Sequence, residues 1–197
     1  MPVNQLNLIM GAAINAKEKR EENDFYKTDP KALEVFLDNF KLHKNVWECA
    51  CGDGGLSEVL ISHGYNVLST DIVDRGYKNL LFTKNFFEFE AEYNGDILTN
   101  PPYKYATEFV LHSLELIPQG NYVVMFFPIQ FLESQKRYDS VFKKYPPKYV
   151  YVFSNRVYTA MNGEFDKYKK CGPTRCYCWF VWEKGFVGEP IIRWIHK

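Results

Sequence analysis

The chain has 197 residues, enough for one α/β domain with a generous core. Its formal net charge is zero, which argues against a nonspecific polyanion binder, and no run approaches the ~20 apolar residues of a membrane span. Hydrophobic residues make up 46% and aromatic residues 17%, so rings are available both as core filler and as stacking platforms.

Residues 1–23 read as an N-terminal arm or capping helix ending in a charged run from Lys17 to Glu22, and residues 24–197 as one domain. Asp24 to Pro30 is a turn that leads into a helix, with Thr28 or Asp29 as cap and Pro30 at its first position. Leu33, Phe36, Leu37 and Phe40 continue it at helical spacing. Asn45 to Ala50 is a buried strand, Cys51 to Gly55 a glycine turn, Leu56 to His63 a helix and Asn66 to Asp71 a second strand. A short third strand falls within Leu80 to Phe89, and a fourth runs from Asp96 to Asn100. Tyr105 to Ile117 is helical, Asn121 to Phe127 a fifth strand, Phe131 to Tyr145 a basic helix and Lys148 to Phe153 a sixth strand. Residues 154–175 have no strong periodicity; a 22-residue irregular stretch in a compact domain reads as a functional loop. Cys176 to Trp182 is an apolar aromatic strand, and Ile191 to Ile195 a candidate last one. Strands alternating with helices predict a mostly parallel sheet with helices on both faces.

Five cysteines, an odd number without a signal-peptide pattern, point to a reducing, cytoplasmic setting. Cys171, Cys176 and Cys178 lack a matching histidine pair and read as free thiols, so no metal site is expected.

Two stretches carry chemistry. The glycine turn between a strand and a helix lets a ligand approach the backbone at the helix's positive end. Asp71, 17 residues after Gly54, ends the next strand and suits the two hydroxyls of a ribose. Together they indicate an adenosine-type cofactor. Glu48 beside the turn would repel a pyrophosphate but not the sulfonium and ammonium of S-adenosylmethionine, which favours that molecule over a dinucleotide. The second stretch is Asn100-Pro101-Pro102-Tyr103. Proline cannot donate to a sheet ladder, so the strand ends at Asn100. The Asn100 amide and the Pro101 carbonyl are acceptors and Tyr103 is a flat ring, a set that suits a planar molecule with an exocyclic amino group.

Glu48-Cys49-Ala50-Cys51-Gly52-Asp53-Gly54, Asp71 and Asn100-Pro101-Pro102-Tyr103 together resemble the class I S-adenosylmethionine-dependent methyltransferases. More narrowly they resemble the small DNA adenine-N6 methyltransferases of phages and prophages. Asp24 to Pro30 resembles that family's N-terminal cofactor motif, and Cys176 to Gly185 its terminal sheet hairpin; the match runs in order over about residues 24–185. The resemblance implies a Rossmann-like α/β fold, with a mostly parallel seven-stranded sheet, helices on both faces and a C-terminal antiparallel strand. It implies methyl transfer from S-adenosylmethionine to the N6 amino group of adenine in DNA. By position, Tyr26, Lys27 and Thr28 would hold the methionine carboxylate; Glu48, Ala50, Gly52 and Gly54 would line the methionine and sulfonium. Asp71 would take the ribose, with Ile72 beside the adenine, and Asn85-Phe86 would stand where the family often has Asp-Phe. Asn100, Pro101, Pro102 and Tyr103 would hold the target base, flipped out of its stack. Pro128, Asn155 and Tyr158 would complete the pocket wall, and Arg156, Lys169, Lys170 and Arg175 in the 154–175 loop would contact the nucleic acid.

The same box would suit an RNA base or a glutamine amide, and a noncatalytic S-adenosylmethionine-binding protein is a further alternative. Target sequence, oligomeric state and a restriction or recognition partner are left open by the sequence.

Overall fold

The computed structural model describes residues 26–155, 157, 159–161 and 175–196. The arm at residues 1–23, and Asp24 and Phe25 of the N-terminal motif, lie outside them. Asp29 starts the first described helix by accepting the Lys31 N–H at 3.0 Å, and Pro30 occupies its first position, where no N–H is needed. In chain order the elements are β1 (Tyr26–Thr28), α1 (Pro30–Leu37), β2 (Asn45–Glu48), α2 (Gly55–Ser62), β3 (Asn66–Asp71) and β4 (Phe82–Thr83). They continue with β5 (Asp96–Thr99), α3 (Ala106–Leu116), β6 (Tyr122–Pro128), α4 (Gln135–Arg137), β7 (Tyr149–Phe153), β8 (Thr159–Met161), β9 (Tyr177–Glu183) and β10 (Ile191–Ile195).

Eight strands form one sheet in the order β10-β7-β9-β6-β5-β2-β3-β4. All run parallel except β9, which is inserted antiparallel between β6 and β7. This is the mostly parallel sheet with an antiparallel C-terminal strand that was expected, with one strand more than seven. The extra strand, β10, pairs with β7 from Ile191–Tyr149 to Ile195–Phe153. It is the candidate last strand read from the sequence, and its Ile191, Ile192 and Trp194 remain exposed.

Successive side chains of the central strands feed two helix-covered cores, as period-two geometry requires. Val124, Phe126, Trp179 and Val181 face the layer of α1 and α2. Val123, Met125, Phe127, Cys178, Phe180 and Trp182 face α3 and the segment after β6. On the first side Phe36 meets Trp179 and Tyr151 at 5.2 Å between ring centres, and the Trp179 indole donates to the Ala32 carbonyl at 3.0 Å. At the amino end of β5, Asp96 is fully buried. It accepts from the backbone N–H groups of His43 and Tyr122 at 2.7 and 2.8 Å and from the Asn121 amide at 3.1 Å. That clasp fixes the far end of the strand from which Asn100 emerges.

Three local expectations change. The helix over Phe131 to Tyr145 is broken into a 3-10 turn at Ile129–Leu132, the single α turn of α4, and a π turn at Tyr138–Phe142. The break lies at Ser134, with φ 137°, where the Arg137 guanidinium gathers the carbonyls of Gln130, Phe131 and Glu133. The third strand is only Phe82–Thr83, followed by a 3-10 turn at Phe86–Glu88. The stretch 154–175, expected to be irregular, contains β8, which pairs antiparallel with β1 from Tyr26–Met161 to Thr28–Thr159. The N-terminal turn motif is therefore a strand as well.

Candidate active site at the carboxyl ends of the strands

Strands β1, β2 and β5 deliver their ends to one narrow cleft of about 20 Å³, lined by Lys27, Thr28, Glu48, Ala50, Cys51, Asp53, Gly55, Leu56 and Asn100. The prolines stop β5 as expected, and Tyr103–Tyr105 turns the chain into α3 with the Tyr105 N–H donating to the Pro102 carbonyl at 2.9 Å. Pro101 is buried and Pro102 exposed. The Asn100 amide NH2 donates to the Thr28 hydroxyl at 2.9 Å. This bond turns the amide so that its oxygen lies on the side away from Thr28. Tyr103 has a buried phenol within hydrogen-bonding reach of Asn100 and Tyr177. Burial first, then Tyr177, holds its pKa well above the usual tyrosine value. Its ring lies 6.1 Å from Phe127 and 6.2 Å from Tyr177.

Glu48 closes the inner wall. It is 2% exposed and accepts from the Ser57 hydroxyl on α2 at 2.6 Å, with the Ser57 backbone N–H also directed at it; the Ser57 hydroxyl in turn meets Ser69 on β3 at 2.8 Å. Burial, with a smaller contribution from nearby Asp71, pushes the Glu48 carboxyl up to about 8. Lys27 contributes the cation of this lining, and its ammonium is paired with Asp53 at 2.6 Å. The donor set therefore suits a ligand that brings positive charge to Glu48.

The glycine turn is held in a way the sequence does not disclose. Asp71 accepts from the Gly52 N–H at 2.8 Å and the Val73 N–H at 3.0 Å, so it pins the turn to the end of β3. A carboxylate has about four acceptor positions, which leaves two for further donors. Gly54, at φ 84°, caps α2, and a Cβ there would lie 2.2 Å from the Tyr77 ring. The turn is thus roofed by the chain's own tyrosine. Ile72 is 58% exposed beside Asp71. Asn85 caps the 3-10 turn by accepting the Phe87 N–H at 3.1 Å. Phe86 is a core residue, stacked on Phe109 at 4.9 Å and edge-on to Trp47.

Beyond Tyr103 opens a larger cleft of about 320 Å³, with Phe127, Pro128 and Phe131 as its apolar wall and Lys104 and Lys136 among its polar lining. Asn155 and Arg175 are exposed; Arg175 is near enough to Tyr103 to act on its phenol electrostatically. Arg156, Tyr158, Lys169 and Lys170 lie outside the described residues, and so does Cys171; Cys176 and Cys178 are free thiols on and beside β9. Among the described residues no cluster of three metal-ligating side chains occurs, and no helix is long and apolar enough to cross a membrane. Sequence reasoning missed Ser57, Ser69, Asp53 and Tyr77. A serine on the core-facing stripe of α2, between Leu56 and Val59-Leu60, is the one signal that marks a buried polar pair.

No family model matches the chain, and no curated protein matches it by sequence. Solved structures do match by fold. A candidate class I S-adenosylmethionine-dependent methyltransferase from Listeria monocytogenes superposes with TM-score 0.50 at 11% identity, over 84% of this chain and 62% of that one. A methyltransferase from Pyrococcus furiosus gives 0.54 at 14% identity, over 93% and 96%. The type IIG restriction endonuclease BpuSI gives 0.57 at 15% identity, over 84% of this chain and 26% of that one. The chain thus spans less than two thirds of the Listeria protein and about a quarter of BpuSI. At these identities the likeness speaks for architecture: the chain has the Rossmann-like fold of the class I methyltransferases.

Proposed function

We propose that the protein transfers a methyl group from S-adenosylmethionine to the N6 amino group of adenine in DNA. One observation carries the reading: Asn100, at the carboxyl end of β5, shares a narrow cleft with a buried carboxyl that is paired with no cation among the described residues. The first group suits an exocyclic amine and the second a sulfonium or ammonium. The likeness to a restriction endonuclease is consistent with DNA as the substrate.

When bound, S-adenosylmethionine supplies an activated methyl group on a sulfonium. The protein's part is positioning. Thr28 holds the Asn100 NH2, so the Asn100 oxygen, together with the Pro101 carbonyl, accepts from the amino group of the base. Two acceptors pull that nitrogen toward a tetrahedral shape and aim its lone pair, and no strong general base is required. Tyr103 stacks on the base, a contact worth ~1–3 kcal/mol. The cleft beyond Tyr103, with Lys104 and Lys136, receives the flanking nucleic acid. Asp71 and Ile72 take the nucleoside, while Glu48, Ala50, Gly52 and Gly54 line the methionine and sulfonium. Arg156, Tyr158, Lys169, Lys170 and Arg175 remain candidates for the DNA grip.

The test is transfer of labelled methyl to unmethylated DNA and, in parallel, to RNA, followed by digestion to nucleosides. N6-methyladenine in DNA, lost in Asn100→Ala while cofactor binding persists, is the expected result. Label in RNA or in a protein amide would move the activity to another planar amino group. Cofactor binding with no transfer to any acceptor would refute catalysis.

A further inference from the structure

We infer that Glu48 reads the positive charge of the cofactor: it gives up a proton when cationic S-adenosylmethionine binds and keeps it beside an uncharged nucleoside. The inference rests on the function proposed above and names a specificity residue within that site. Its ground is the company Glu48 keeps. The carboxyl sits at the end of β2, 2% exposed, with the Ser57 hydroxyl and the Ser57 backbone N–H as neutral hydrogen-bond donors. Ser57 and Ser69 are neutral and bring no charge to it. Asp71 faces it from β3 and Asp53 from the glycine turn, both raising its pKa. The thiols of Cys49 and Cys51 flank it, each pushed up, chiefly by burial, and therefore neutral. From β1 comes Lys27, the cation of the cleft lining, and Asp53 holds it. Acids crowd one end of a narrow cleft whose one lysine is engaged elsewhere.

In that setting the neutral form of Glu48 prevails at neutral pH, since burial holds the carboxyl up to about 8. A cation placed against it reverses the preference. The carboxylic acid O–H breaks, the proton passes to buffer, and the carboxylate that remains faces the bound positive charge. Atoms and charge balance with no further reactant. A neutral ligand such as 5′-methylthioadenosine offers no such compensation and leaves the proton in place.

Linkage fixes what is measured. Below the Glu48 pKa, binding coupled to release of one proton tightens about tenfold per pH unit. Calorimetric titration of the intact protein with S-adenosylmethionine, in two buffers of unlike ionisation heat between pH 5.5 and 7.5, counts the protons. About one proton released per cofactor, none with 5′-methylthioadenosine, and a Kd falling about tenfold per pH unit are expected. Glu48→Gln should bind S-adenosylmethionine more weakly, release no proton and lose the pH slope. Should that variant fail to fold, the two wild-type ligands still decide. S-adenosylmethionine binding without proton release, or equal release with both ligands, overturns the inference and leaves the proposed function standing. Absence of S-adenosylmethionine binding by the wild type overturns both.

Discussion

Replacing Gly54 by alanine tests whether the glycine turn answers first to the fold or to a ligand. An added Cβ would lie 2.2 Å from two carbons of the Tyr77 ring, far inside any tolerated contact. Gly54 also has φ 84°, a left-handed conformation that costs an L-residue about 1–2 kcal/mol. Tyr77 is 8% exposed, and expelling a side chain of that size forfeits about 1.5–3 kcal/mol of burial. The hydrogen bond from its hydroxyl to Glu58, at 2.9 Å, goes with it. Together Gly54→Ala should destabilise by about 3–5 kcal/mol, a large share of the 5–15 kcal/mol typical of a domain. Urea unfolding followed by tryptophan fluorescence measures this. The double variant Gly54→Ala/Tyr77→Ala supplies the decisive comparison. With the ring removed, only the backbone cost should remain, so the two changes should combine to less than their sum. Strict additivity would refute the steric account. A Gly54→Ala protein as stable as wild type, but weak in cofactor binding, would assign the glycine to the ligand instead.

Thr28→Val removes the hydroxyl that orients Asn100 and should lower kcat about 5–100-fold with little change in KM, whereas Thr28→Ser should retain activity. Steady-state kinetics of both variants check this, and an equal loss in serine and valine would refute the orienting role. Stability should also depend on pH through Glu48. Above 4.5 the unfolded chain releases this proton, while the folded protein keeps it up to about 8, so the group's contribution declines as pH rises across that window. At 1.36 kcal/mol per pH unit the decline is bounded at about 5 kcal/mol, and denaturation of Glu48→Gln should show a flatter profile than wild type. Asp96→Asn would turn an NH2 toward one of the N–H donors that the carboxylate now accepts. It should cost about 2–3 kcal/mol in urea unfolding, while methyl transfer per folded molecule stays unchanged.

The central strands were legible because each carries a run of buried residues between turn signals: Val46 to Glu48, Ile97 to Thr99, and Val123 to Phe127. The Asn100 box was legible for a different reason, that two prolines mark where a strand must stop. What the sequence concealed lies in pairings between distant, short segments. β1 and β8 are three residues each and some 130 positions apart, so neither has a periodicity of its own. The helix break at Ser134 is a backbone choice maintained by the Arg137 guanidinium, and serine gives no hint of a positive φ. Asp71 was read as a ribose acceptor from its place after a strand, yet its hydrogen bonds to Gly52 and Val73 exist only once the turn has folded back upon it. Tyr77, 23 positions beyond Gly54, explains that glycine through a contact no local pattern contains.

The position of β9 has a consequence for how the chain is made. Synthesis proceeds from the N-terminus, so β6 and β7 emerge long before the strand that separates them. Until residue 183 is available, both carry open, apolar edges of the kind that recruit other chains. The pairing of Tyr122 with Glu183 closes a loop of about sixty residues, a nonlocal step of the sort that slows folding. The nascent protein should therefore depend on chaperones or rapid completion. A truncation before Tyr177 should aggregate rather than yield a smaller folded protein, even though every residue lining the narrow cleft would still be present.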